Sequence, residues 1–130
     1  MISRGGLLAC IAIVVIGCSS GSPDALVGEY GVQPNGPAEI KVSKVEGKYL
    51  VSLRQGGGWS EAAEVPLCDD RHYSDLFGSE WKSVHPVGLC ATSAPFAIFK
   101  VRKGARARGR TFQTGYFMVS VIGGGDAHRL

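Results

Sequence analysis

No stretch of the chain is long enough and apolar enough to cross a bilayer as a helix. The longest apolar run covers residues 7–16. At 1.5 Å per residue it makes about 15 Å of helix, half of a ~30 Å hydrocarbon core. Catalytic signatures are missing as well: there is no G-x-S-x-G, no H-E-x-x-H and no other nucleophile motif. Histidine is scarce, with only His72, His85 and His128. General acid–base work needs converging groups, and the sequence indicates none, so the reading is a non-enzyme with no cofactor. No repeat of 20–50 residues appears, which excludes solenoids and propellers. The net charge of +3 in 130 residues is small, which argues against a general nucleic-acid binder.

What is present begins with an address. Residues 1–4 carry one positive charge, Arg4, and the short apolar run follows, ending at Gly17. This is the layout of a secretory signal. Val15-Ile16-Gly17-Cys18 resembles the lipobox of bacterial lipoproteins. The resemblance covers residues 1–18 only, and it implies cleavage before Cys18, lipid on the Cys18 sulfur and an acylated new N-terminus. One acyl chain holds a protein marginally, whereas two or three anchor it stably. Ser19 stands where an aspartate would favour the inner membrane in the lipoproteins resembled, so the expectation is the outer membrane, facing the periplasm. Residues 18–25 are polar and small and read as a flexible tether.

Removing residues 1–17 leaves 113 residues, enough for one domain, expected over residues 26–122. Only Arg4 leaves with them, so 13 Lys and Arg face 11 Asp and Glu. Of four cysteines, Cys10 goes with the signal and Cys18 takes the lipid. Cys68 and Cys90 remain, and in an oxidising compartment they read as a disulfide closing a loop of about 22 residues. A rival use exists: Cys68, His72, His85 and Cys90 form a Cys2His2 set able to hold a tetrahedral zinc ion. The spacing matches no strong zinc pattern, and periplasmic thiols oxidise, so the bridge is preferred.

The domain reads as mainly β. Residues 39–45 and 48–54 alternate apolar and polar around the turn Glu46-Gly47. Pairing Val45 with Lys48 sets Val42 opposite Val51 and Ile40 opposite Leu53, so four apolar residues share a face. Lys41 then faces Ser52, and Glu39 faces Arg54. Residues 59–65 are a weaker third strand. Asp69 or Asp70 caps a short helix over residues 71–77, closed by Gly78, with Tyr73, Leu76 and Phe77 on one stripe. Residues 79–94 read as irregular loop. Strands follow at residues 96–101 and 112–122, and Gly123-Gly124-Gly125 releases a mobile polar tail over residues 123–130. The expected architecture is a small curled antiparallel sheet or partly open barrel of about five or six strands. One short helix sits in a disulfide-stapled insertion.

Charge is unevenly distributed. Residues 61–80 carry six acids against Arg71 alone, and residues 100–110 carry six bases and no acid. Lys103, Arg106, Arg108 and Arg110 lie on a loop bounded by glycines. Guanidiniums at alternate positions suit bidentate contact with carboxylate or phosphate. They are the candidate partner-binding residues, for an acidic protein surface or an anionic envelope component such as lipopolysaccharide phosphates. The bland account is a solubilising loop tip. Trp59, Trp81, Phe96, Phe99, Tyr116 and Phe117 would line an apolar ligand pocket if the sheet closed, and fill the core otherwise.

Overall fold

The computed structural model describes residues 21–121 and 123–130. Cys18, the expected signal segment 1–17 and the start of the expected tether lie outside the described residues. The domain begins earlier than its sequence suggests. Ser22 caps a 3-10 turn, Pro23–Leu26, and its side chain accepts from the Asp24 backbone N–H. Leu26 is fully buried.

Twelve strands follow among the described residues, all paired antiparallel. They are β1 (Gly28–Gly31), β2 (Ile40–Val45), β3 (Lys48–Gln55), β4 (Gly58–Trp59), β5 (Ala63–Glu64), β6 (Val87–Cys90) and β7 (Ala97–Lys100). Then come β8 (Arg106–Ala107), β9 (Arg110–Thr111), β10 (Tyr116–Ser120), β11 (Gly123–Asp126) and β12 (His128–Arg129). One helix, α1 (Asp70–Phe77), lies between β5 and β6.

A six-stranded sheet runs β12-β1-β2-β3-β4, with β5 also on the outer side of β3. The β2–β3 hairpin has the expected register: Val45 pairs with Lys48, Lys41 with Ser52, Val42 with Val51 and Ile40 with Leu53. Glu46 and Gly47 both take positive φ, as a two-residue turn of this twist requires. Glu39 and Arg54 are opposite in the ladder, the Arg54 N–H donating to Glu39 O. The Arg54 guanidinium turns elsewhere: it donates to Ala38 O at 2.9 Å and lies over the Trp59 ring. The third strand is two short pieces, β4 and β5, separated at residues 60–62, of which Ser60 still bonds Leu53.

A four-stranded sheet runs β11-β10-β7-β6. It is the middle layer. Leu89, Ile98 and Met118 pair across it and face Tyr30, Ile40, Val42 and Val51 of the six-stranded sheet. Phe99 and Phe117 point the other way, toward Tyr73 and Phe77 of α1. This explains the apolar run Phe96-Ala97-Ile98-Phe99: both faces of β7 are covered. Four rings lock the helix side, with Phe77 centroids 5.2 Å from Phe99 and 5.6 Å from Phe112, and Phe112 5.1 Å from Phe117. Such edge-to-face contacts add about 0.5–1.5 kcal/mol each beyond burial.

Four expectations need correction. The sheets do not curl or close into a barrel. Their outer ladders, at β4, β5 and β12, are two residues long, too short to carry pairing from one sheet to the other. Residues 79–94 are not an irregular loop: Trp81–Val84 is a 3-10 turn and β6 is buried along its whole length. Residues 123–130 are not a released tail. β11 pairs with β10, Ala127 is fully buried, and β12 pairs with β1. The strand expected over residues 112–122 is also interrupted, since Phe112 bonds back to Gly104 and Ala105 and β10 starts only at Tyr116.

Candidate functional site

The basic segment is a structured hairpin. Arg108 and Gly109 form a two-residue turn with φ of 52° and 79°, and Ala107 pairs with Arg110. Its base is buried: Ala105 and Phe112 are 2 % and 1 % exposed. Gly104 donates to Phe112 O at 2.7 Å, and Phe112 donates back to Ala105 O at 2.9 Å. Arg102 anchors the base to the Trp81–Val84 turn, its backbone donating to Val84 O and its Nε to Ser83 O.

The register of this hairpin separates the three arginines. Paired residues share a face, so Arg110 lies with Ala107 and away from Arg106. Its guanidinium sits 5.2 Å from the centre of the Phe117 ring. Arg108 crosses to α1 and donates to Asp75 O at 3.3 Å. The last turn of α1 carries no basic residue of its own. Arg108 therefore supplies, from another element, the cation that the exposed carbonyls of a helix C-terminus favour. Arg106 is exposed and has no hydrogen bond, ion pair or ring contact among the described residues. Lys103 is exposed in the same unpartnered way at the start of the segment. The four expected residues thus do not act as one comb.

Between this hairpin and the end of α1 lies an open cleft of about 500 Å³. Phe77 forms its inner wall, Gly78, Ser79 and Glu80 one lip, and the hairpin from Arg106 to Gly109 the other. Gly78 ends the helix with φ of 86°, its N–H donating to Ser74 O at 2.9 Å. The chain can reverse there because glycine tolerates that φ. So two arginines reach this cleft, one engaged and one free, facing a single carboxylate.

The rival metal set is not assembled. Cys68 and Cys90 are bonded to each other, with S–S 2.06 Å, and their sulfurs are not thiolate ligands. Asp69 caps α1 by accepting from the His72 N–H, while His72 Nδ1 accepts from the Asp69 N–H, both at 3.0 Å. This reciprocal pair is a capping box with histidine in the place of the usual glutamate. The same backbone N–H of His72 holds the Asp69 carboxyl below the ordinary carboxylate range. His85 closes the Trp81–Val84 turn in the left-handed conformation. No group of three or more His, Cys, Asp or Glu able to hold a metal occurs among the described residues.

The six aromatics proposed as pocket lining are dispersed. Phe99 and Phe117 fill the helix-side core, Phe96 and Tyr116 flank the inter-sheet core, and Trp81 rests 5.3 Å from Tyr73. Trp59 lies outside, between Arg54 at 4.4 Å and Lys41 at 5.1 Å. Two features of the site were readable and missed. Arg108-Gly109 is the same kind of turn signal as Glu46-Gly47, and it alone places Arg110 away from Arg106. Asp69-x-x-His72 has the spacing of a capping box. No protein-family model, curated protein or solved structure matches this chain.

Proposed function

We propose that the chain is a non-enzymatic, lipid-anchored protein of the bacterial cell envelope. In this reading it is held in the outer membrane through Cys18 and faces the periplasm. It binds a protein or envelope component through an anionic group; an inhibitor or immunity-type role is one form such binding would take. The observation that carries the binding reading is Arg106: an exposed guanidinium without a partner at the lip of a 500 Å³ cleft, beside a second arginine fixed by the backbone of α1. A planar fork of donors in that position fits a carboxylate or phosphate. Arg110 is a built-in control, since its guanidinium lies over Phe117 and it is not among the residues lining the cleft.

The test uses the full chain in membranes. Metabolic labelling with an alkyne fatty acid should mark the native chain and leave Cys18→Ser unlabelled. Co-sedimentation with peptidoglycan sacculi, with lipopolysaccharide vesicles and with purified envelope proteins should show one binder that Arg106→Ser releases and Arg110→Ser retains. Equal retention by both variants removes the cleft from the reading. Labelling that persists in Cys18→Ser removes the anchor.

A further inference from the structure

A second cleft, of about 200 Å³, opens where the two sheets part at the β3 edge. Val51, Leu53, Val65, Ala91 and Phe96 make its apolar part, and Ser60, Thr92 and Ser93 also line it. Leu53 belongs to the core face of the β2–β3 hairpin, paired with buried Ile40, yet it is 40 % exposed. The exposure has a cause. Past Ser60, residues 61–62 pair with nothing between β4 and β5, and the Leu53 side chain is left partly uncovered. The opening is held in shape. The Leu53 N–H donates to Ser60 Oγ at 2.9 Å, and the Ser60 N–H returns to Leu53 O at 2.8 Å. Across the gap, Ala91 donates to Phe96 O at 2.9 Å and closes the 91–96 loop.

The rim has one sign of charge. Glu61 and Glu64 line it, with no lysine or arginine among the lining residues. The Glu61 carboxylate has no partner among the described residues. Glu64 meets Lys48 only at 3.9 Å, both side chains more than half exposed, an arrangement worth little in water. A preformed apolar slot with a negative rim is complementary to an apolar side chain next to a positive one.

We propose that this cleft docks one apolar side chain of a separate partner protein, presented beside a lysine or arginine. The slot is small and suits a single anchor residue. The site is independent of the Arg106 cleft and of the lipid anchor, so either reading can fail alone.

The probe is a phage-displayed random-peptide library panned against the full chain in detergent micelles. The expected enrichment is a Leu, Ile, Phe or Tyr next to Lys or Arg. Synthetic copies of the enriched peptides should lose about tenfold in affinity toward Leu53→Glu, the effect of one lost anchor contact. Glu61→Lys, a substitution at an exposed rim position, should turn the flanking preference from basic to acidic with an unchanged melting curve. Enriched peptides without a basic residue overturn the proposal, and so do peptides whose binding survives Leu53→Glu. So does concentration-dependent dimerisation of the full chain that Leu53→Glu abolishes, because the occupant is then a second copy.

Discussion

The Phe99 ring occupies the space beside Gly88 where a side chain would stand. The two residues are cross-strand partners, and a Cβ built on Gly88 would stand 2.4 Å from Phe99 Cδ1 and 2.8 Å from Ile98 O. The ring has no room to yield, since Tyr73 and Phe77 close on it from the helix side, and the Ile98 carbonyl belongs to the ladder. Gly88→Ala is therefore an overpacking substitution in the middle layer, expected to cost about 3 kcal/mol. The urea midpoint should fall, and a compensating Phe99→Leu should recover part of the loss. A neutral Gly88→Ala would mean that the two strands sit further apart than described.

Reduction should loosen the helix end of the molecule. The Cys68–Cys90 bridge spans a sequence separation of 22 and ties the entry of α1 to the buried strand β6. The loop-closure term of such a bridge is worth about 3 kcal/mol. Cys68→Ala with Cys90→Ala, or dithiothreitol on the native chain, should lower the urea midpoint by the corresponding amount without changing β content in the far ultraviolet.

Alkaline pH should unfold the domain through Tyr30. Its hydroxyl donates to Leu26 O at 2.6 Å, and burial pushes its ionisation well above that of a free tyrosine. The folded state holds the proton more tightly than the unfolded chain. The associated stability is complete below about pH 10, the unfolded value, and is lost as pH rises toward the folded value. Tyr30→Phe leaves the buried Leu26 carbonyl without its donor, at a cost of about 1–2 kcal/mol near neutrality. It should also flatten the fall in melting temperature above pH 10.

Acid acts on the opposite side. The His72 backbone N–H holds the Asp69 carboxyl below its ordinary range. For Asp24 the cause is the Tyr49 hydroxyl first and the Lys44 ammonium second, the latter at 3.0 Å. Both carboxylates are bound more tightly as anions in the folded state. Their contribution is present above about pH 4 and is lost as pH falls through the lowered folded values. Asp69→Ala and Asp24→Ala should lower the melting temperature at pH 7, and the gap from the native chain should shrink by pH 3.

How much of this was legible depended on whether two local signals agreed. In the β2–β3 hairpin, apolar alternation and the Glu46-Gly47 turn specify the same register, and the observed pairing is that register. The helix was legible for the same reason, since Asp69, Gly78 and the Tyr73, Leu76, Phe77 stripe coincide. Strand β6 was not. Val87-Gly88-Leu89-Cys90 is short, follows Pro86 and contains a glycine. It is a strand because β7 lies on one side, and because Cys68, donating to Gly88 O, and Pro66, accepting from Cys90, lie on the other. Nothing in the four residues announces those neighbours. Gly124 misled in a similar way. It reads as a release from structure, but the Phe117 ring occupies its side-chain position, 2.7 Å from where a Cβ would be. Of the basic comb, the charge was legible and the division of labour was not, because Arg110 answers to Phe117 and Arg108 to Asp75.

The middle layer also settles how the domain comes apart. Ile98 and Phe99 are neighbours on one strand, both fully buried, and they project into two different cores. Neither core can melt while its shared strand stays intact for the other. Loss of β7 empties both at once, so unfolding should be a single all-or-none event. Amide protons of Ala97–Lys100 should then exchange only through that global opening, as the slowest set in the molecule.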